Sequence, residues 1–152
     1  MSLSKNANMV DLFNGTISGD STLKTSYPGL QVHPYIDRKV LATTILGGPG
    51  NAGVAISKSG GGPFEWNAGG LAGQQRQKIR IDVFAKAQQN AATSARDVTD
   101  GIMRRIQSLL FFAQYLGTGW LFHKEVEAKF PSAPMKTRAY GYFIEEVMVS
   151  MG

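Results

Sequence analysis

Between Gln77 and Leu110 the hydrophobic and polar positions follow two successive patterns, which predict one β-strand and then one amphipathic helix. In residues 78–86 apolar residues alternate with charged ones, a period of two that turns one side of a strand toward a core. From Asn90 onward apolar residues recur every three or four positions, which is one stripe of an α-helix. The apolar strand positions are Ile79, Ile81, Val83 and Ala85, and those of the helix are Ala91, Ala95, Val98, Ile102, Ile106 and Leu109.

The predicted helix needs an apolar surface on which to bury its stripe, and the nearest one in sequence is the strand just before it. Gly117-Thr118-Gly119 supplies a stop signal, so the helix is expected to end near Leu116. We therefore predict an α+β fold, with a mostly antiparallel or mixed sheet and one long helix packed on one face. The charged residues on the other side of the helix are Arg96, Asp97, Asp100, Arg104 and Arg105.

The start of the chain shows no sustained periodicity. Residues 1–8 are predicted to be a disordered or arm-like end, and residues 9–13 predict a short helix that Gly15 stops. Residues 16–34 are rich in Gly, Ser, Thr and Pro, which indicates a loop with a turn at 27–29.

The glycine-rich middle of the chain predicts a hairpin. The apolar segments 40–46 and 54–56 flank a glycine-rich stretch, and residues 63–75 form a second glycine-rich connection. Residues 48–53 match the spacing G-x-G-x-x-G of dinucleotide-binding loops. Such a site needs a helix directly afterwards, and residues 54–59 are too few to form it, so a hairpin loop is the favoured interpretation.

Two strands are predicted after the helix. Residues 120–130 alternate as a strand would, although their middle part would also suit a helix turn, and strand is the favoured interpretation. Residues 138–151 predict the last strand, in which Tyr140, Tyr142 and Ile144 share a face. The phase of the pattern changes after the adjacent glutamates of this strand, which predicts a β-bulge or a strand that leaves one surface for another. The predicted order is β-β-β-α-β-β.

Length and composition predict one domain over residues 1–152. The charged fraction of 18 % is below the quarter usual in soluble domains, which indicates that some surface faces protein. The net charge of +5 weakly favours acidic partners, yet no arginine-rich block is present. The absence of cysteine excludes disulfides and thiolate metal sites and is typical of a reducing cytoplasm. Neither an export signal nor a membrane-spanning segment is predicted, so a soluble protein is expected.

Candidate chemistry is sparse. His33 and His123 lie far apart and outside any zinc-binding pattern, and no G-x-S-x-G motif occurs. The close carboxylate pairs are 145–146, which point to opposite faces of a strand, and Asp97 with Asp100 on the charged side of the helix. We therefore expect no enzymatic activity, no cofactor and no bound metal.

Six aromatic rings fall within residues 111–130, and core packing accounts for only part of them. One helix cannot direct Phe111, Phe112 and Tyr115 onto a single narrow stripe, so some rings are expected to face outward and mark a protein interface. The glycine-rich connection adds two more large rings. The predicted subunit-interface candidates are Phe64, Trp66, Phe111, Phe112, Tyr115 and Trp120.

The segment Ile79-Arg80-Ile81-Asp82-Val83-Phe84-Ala85, followed by residues 91–98, resembles the tail terminator proteins of long-tailed bacteriophages, also called tail completion proteins. In that family an alternating strand that often ends in Asp-Val-aromatic-Ala leads into a helix packed on a mixed or antiparallel sheet. A final strand closes the chain, and residues 140–151 match that strand.

The resemblance implies a structural virion protein of the phage tail and neck, assembled in the host cytoplasm. Six copies would form a ring on the last ring of the tail tube protein and present a face to the head-side connector or stopper protein. DNA would pass through the lumen without sequence-specific binding. In a cyclic ring every contact joins two different patches, for which the sheet edge and the Phe64–Trp66 loop are candidates.

Two alternatives stay open. One is another tail or head-tail connector component, such as a tube, stopper or baseplate subunit. The other is a small nucleic-acid-binding or nucleotide-using protein, which the net charge and the G-x-G-x-x-G spacing favour.

Overall fold

A five-stranded mixed sheet forms the centre of the fold, in the order β1-β2-β3-β5-β4. β1 pairs with β2 in parallel, and all other neighbours are antiparallel. The strands are β1 (Leu30–Pro34), β2 (Ala52–Trp66), β3 (Gly73–Lys86), β4 (Trp120–Lys129) and β5 (Arg138–Ser150). The computed structural model describes residues 9–36, 38–47, 51–66, 73–86, 94–113, 120–131 and 138–150.

Four helices occur within the described residues, and they lie on both sides of the sheet. Three of them pack on the face that carries Ile79 and Ile81, which we call the helix face. The fourth packs on the opposite face, which carries Arg80 and Asp82 and which we call the second face. On the helix face are α1 (Met9–Ser18), α2 (Ser21–Ser26) and α4 (Ala95–Ala113), and on the second face is α3 (Arg38–Gly47). None of the helices in the described ranges has the length and apolar character needed to cross a bilayer.

The main core lies between the sheet and α1, α2 and α4, and it confirms the predicted α+β arrangement with a long helix on one face. All four apolar positions predicted for β3 are fully buried there. Burial of each large aliphatic side chain stabilises the fold by about 1.5–3 kcal/mol. The other strands and the helices contribute Val54, Ile56, Phe143, Val147, Phe13, Ile17, Ile102, Met103, Ile106 and Leu110.

α4 contacts β3 and β5, as its amphipathic pattern predicts. Ala95, Ile102 and Ile106 are buried, whereas Val98 and Leu109 are half-buried. The buried stripe also includes Thr99, Met103 and Leu110. The Ser94 hydroxyl accepts a hydrogen bond from the Asp97 backbone N–H at 3.2 Å and caps the helix, so α4 begins at Ala95. The helix therefore begins later than predicted, at Ala95 rather than at residue 91, and the predicted end near 116 lies outside the described residues.

The predicted loop at 16–34 is wrong, since it contains the end of α1, all of α2 and β1; its turn at 27–29 is confirmed. Gly15 does not stop α1, because Val10, Phe13 and Ile17 on both sides of it bury one helical stripe in the core. Tertiary packing outweighs the low helix propensity of one glycine, about 1 kcal/mol.

The predicted hairpin of 40–46 with 54–56 is also wrong. Residues 40–46 belong to α3, where Leu41 is buried against Ala55 and Phe84 on the second face. The strand partner of β2 is β3 instead. The expected connection 63–75 is shorter than predicted, because Pro63–Trp66 and Gly73–Gln75 extend the two strands. Two register shifts in the glycine-rich part of β2 accommodate this extension.

β4 and β5 confirm the two strands predicted after the helix, but β5 has no bulge. It pairs with β3 without a shift from Arg138 to Ser150, and the register shifts lie in β4. The change of phase has another cause: Phe143 and Val147 both face the core, and the buried Glu145 stands between them. Because a carboxylate occupies a core position, the alternation of apolar residues in β5 is interrupted in the sequence although the strand is regular.

Asp20 joins the α1–α2 corner to α4. Its carboxylate accepts a hydrogen bond from the Leu23 backbone N–H at 3.0 Å and two from the Arg105 guanidinium at 2.8 and 2.9 Å. The hydrogen bonds from Arg105 are the main reason that the pKa of Asp20 lies below its ordinary value of 3.8, although burial opposes them. The folded state therefore favours the carboxylate.

Replacing Asp20 by asparagine is expected to lower the free energy of unfolding by about 1 kcal/mol at pH 7, because asparagine keeps the helix cap but loses the charge-assisted bonds. A depressed pKa stabilises the fold at pH values above 3.8, and this stabilisation is lost as the pH falls through the folded-state pKa. Urea unfolding of both proteins at pH 7 and near pH 2.5 measures the effect. A difference that stays constant across this range would refute the assignment.

Candidate functional site

The second face of the sheet carries a polar and aromatic network on β3 and β5. Arg80 donates from Nε to Asp82 Oδ1 at 3.0 Å and from Nη2 to the Tyr140 hydroxyl at 2.9 Å. The Tyr140 hydroxyl in turn donates to Asp82 Oδ1. Asp82 is only 1 % exposed, so its charge is satisfied within the fold by the guanidinium and the phenol. We call Arg80, Asp82, Tyr140 and Tyr142 the second-face network.

Tyr142, the fourth member of the network, contacts the Arg80 guanidinium through the face of its ring. The Arg80 guanidinium lies 4.0 Å from the centroid of the Tyr142 ring, a cation–π geometry, and the Tyr140 and Tyr142 centroids are 6.2 Å apart. Burial disfavours the charge of Arg80, but the bonds to Tyr140 and Asp82 outweigh it and raise the pKa of the guanidinium. Arg80 is thus permanently charged and fixed in orientation.

The residues around the network form a basic rim. The register aligns Lys78, Glu146 and Lys124 in one row across β3, β5 and β4, and it aligns Tyr142 with Lys129 in another. The Lys124 ammonium lies 3.8 Å from a Glu146 carboxylate oxygen, in a surface pair of modest energy. Among the described strand residues, the exposed cations on this face are Arg76, Lys78, Lys124, Lys129 and Arg138.

The two outer strands of the sheet differ in chemistry. β1 is a short strand with half-buried residues, and an open groove of about 190 Å³ beside it is lined mainly by apolar side chains of α1, α2 and β1. In β4, residues 124–129 are all exposed, and four of these six are charged. Charges and register shifts on an outer strand discourage unspecific strand pairing.

The structure does not test the six aromatic interface candidates as a group. The backbones of Phe64 and Trp66 lie at the end of β2, those of Phe111 and Phe112 in the last turn of α4, and that of Trp120 at the start of β4. The side chains of these five residues, and the whole of Tyr115, lie outside the described residues. They therefore stay sequence-based candidates.

The histidines and the adjacent glutamates noted in the sequence lie in separate parts of the sheet. His33 on β1 and His123 on β4 lie at opposite sides of the sheet, and the His33 ring is 3.0 Å from the Gln31 side-chain oxygen. Glu145 lies on the helix face and Glu146 on the second face, as predicted. Among the residues that the structure describes, no three His, Cys, Asp or Glu side chains are grouped to hold a metal ion.

The G-x-G-x-x-G stretch does not have the setting of a dinucleotide site. It follows α3 rather than a strand, and it leads into the long strand β2 rather than a helix. The predicted hairpin loop is not its role either, because the stretch joins α3 to β2. Its first three residues lie outside the described part of the chain.

Sequence reasoning missed the second-face network, although its components were visible. Alternation places Arg80 and Asp82 on one side of β3, and Tyr140 and Tyr142 on one side of β5. Only the register, in which Asp82 lies opposite Tyr142, brings the four together. Register depends on the pairing of distant segments.

Comparisons with known proteins add no relative. The chain matches no protein-family model, and the search of curated proteins gives no match.

Proposed function

We propose that this protein is a structural virion protein: a ring-forming tail terminator at the phage neck, which caps the tail tube and joins it to the head connector. The proposal rests on the resemblance of the strand–helix segment and on the position of that segment in the fold. It requires no active site.

The observation that carries the proposal is the packing of β3, α4 and β5. The segment that resembles tail terminators supplies the central strand β3 and then the helix that covers it. β5, the expected closing strand, pairs with β3 from Arg138 to Ser150. This agrees with the family pattern of an alternating strand, a covering helix and a final strand.

The unlike outer strands also support a ring. A cyclic ring repeats one head-to-tail contact, which joins two different patches on each subunit. β1, with the groove beside it, and the charged β4 lie at opposite ends of the sheet and can supply such patches. In this proposal the β1 side of one copy contacts the β4 side of the next.

Deletion of the gene from the phage that carries it, followed by electron microscopy of the particles, tests the function. A terminator stops tube growth, so we expect tubes of irregular excess length that are not joined to heads. A plasmid copy of the gene is expected to restore normal tails and serves as the control.

The other outcomes distinguish the alternatives. Complete loss of tubes would indicate a tube or baseplate subunit, and unattached tubes of normal length would indicate a head-tail stopper. Either result, or particles that do not change, would overturn the terminator assignment.

A further inference from the structure

On the second face most of the acidic side chains are buried, whereas most of the cationic side chains are exposed. Among the described side chains of this face, two of the three acids are buried, with Asp82 1 % and Glu146 9 % exposed, and both have cationic neighbours in Arg80 and Lys124. Glu127 is the exposed acid among the described residues of this face. Five cations on the described residues of β3, β4 and β5 are exposed on the same face, Arg76 included, so the surface that a partner meets is basic.

The basic residues surround an ordered group formed by the Arg80 guanidinium and two tyrosine rings, whose planes are inclined by 32°, and α3 borders this group where it packs on Phe84. Arg80 is fixed over the Tyr142 ring by its bonds to Asp82 and Tyr140, and both tyrosine rings are half-buried. Unpaired bases stack on aromatic rings and on arginine guanidinium planes. A surface already ordered in this way loses little conformational entropy when a ligand binds.

The dimensions of the face suit an extended polymer. From the row of Lys78 to the row of Arg138, which pairs with Lys86, the sheet extends eight residues, about 27 Å at about 3.4 Å per residue. Cations at both ends and along β4 can contact successive phosphates while the centre stacks with bases. A duplex, whose bases are already stacked, offers this face its phosphates alone.

We propose that the second face binds single-stranded nucleic acid without sequence preference, with phosphates on Lys78, Lys129 and Arg138 and bases stacked on Arg80, Tyr140 and Tyr142. The inference does not rest on ring formation. DNA and RNA share the chemistry that this face recognises, and the experiment separates them.

Fluorescence anisotropy with labelled oligothymidine and oligouridine of about 20 nucleotides tests the inference. We expect binding to weaken as the salt concentration rises. The slope of log K against log salt is expected to be about −0.7 for each phosphate contact. A blunt DNA duplex of equal length is expected to compete weakly. Equal binding of duplex and single strands would overturn the stacking role.

Matched variants assign the binding to this face. Lys78→Glu with Lys129→Glu is expected to weaken binding at least tenfold and to lower the salt slope by about 1.4, because two contacts are lost. Lys24→Glu with Arg96→Glu makes the same change of charge on α2 and α4, on the other side of the sheet, and is expected to change affinity less than threefold.

Substitutions of Tyr142 distinguish the contribution of stacking to the affinity from the contribution of charge. Tyr142→Leu is expected to weaken binding about tenfold, whereas Tyr142→Phe keeps the ring and the affinity. Circular dichroism melts establish that each variant is folded. Absence of binding by the folded wild-type protein, or equal losses in the two charge-reversal pairs, would overturn the inference.

Discussion

Replacing Gly141 by alanine is expected to lower the free energy of unfolding by about 2–3 kcal/mol. Gly141 lies on the helix face of β5, and a Cβ atom there would lie 2.9 Å from the Lys129 carbonyl oxygen and 3.2 Å from Pro131 Cδ. It would also meet the sulfur of Met103 in α4. The Met103 side chain can rotate, but the backbone oxygen cannot move without disturbing the end of β4.

Gly15→Ala is the matched control for this substitution. Gly15 is exposed inside α1, and a Cβ atom there meets nothing within 4 Å. Alanine is expected to stabilise the protein by up to about 1 kcal/mol, because its helix propensity is higher. Urea unfolding of both variants gives the two free energies. Similar changes in the two would contradict the close packing around Gly141.

Replacing Asp82 by alanine is expected to cost about 3 kcal/mol. The substitution removes the acceptor of Arg80 and Tyr140 and leaves the guanidinium against the sheet without its carboxylate. Breaking a buried ion pair by removing one partner costs about 3–5 kcal/mol, and the partial exposure of Arg80, 27 % of its side chain, places this case at the lower end.

Asp100→Ala supplies the comparison for Asp82, since it removes the acid of an exposed pair. Asp100 and Arg104 are four residues apart on α4, with side chains 36 % and 66 % exposed. Such pairs contribute about 0.3–0.5 kcal/mol. Thermal and urea unfolding compare the two variants. An Asp82 variant as stable as the Asp100 variant would show that the second-face network does not stabilise the fold.

The sequence was sufficient to predict the elements whose pattern is local and long. In β3 the strict alternation of Ile79, Ile81 and Val83 places every apolar side chain in the core. In α4 the spacing of Ile102 and Ile106 identifies the buried stripe. The physical reason is that one face of each element is buried and the other is charged.

Elements whose conformation depends on distant partners were not predictable in this way. Residues 40–46 are β-branched and apolar, as in a strand, yet Leu41 is buried through helical packing on Ala55 and Phe84. β1 has five residues, too few for a clear period, and it exists through its parallel pairing with β2. Local preference in such short segments is weaker than tertiary contact.

The second-face network likewise has one part that the local sequence pattern predicts and one part that depends on the pairing of distant strands. Alternation alone places Tyr140 and Tyr142 together, which was predicted, but nothing local indicates that Asp82 would lie opposite Tyr142. The buried Glu145 had the reverse effect, because a carboxylate at a core position suggested a bulge where β5 is regular. Strand register is therefore the information that the sequence pattern lacked.

A cryo-electron microscopy map of the assembled particle, with density assigned to this chain, tests the proposed function most directly. The account predicts a ring of six copies at the head-side end of the tail tube, with the β1 side of each copy against the β4 side of the next. Density for this chain at another place in the particle, or its absence from the particle, would contradict the account.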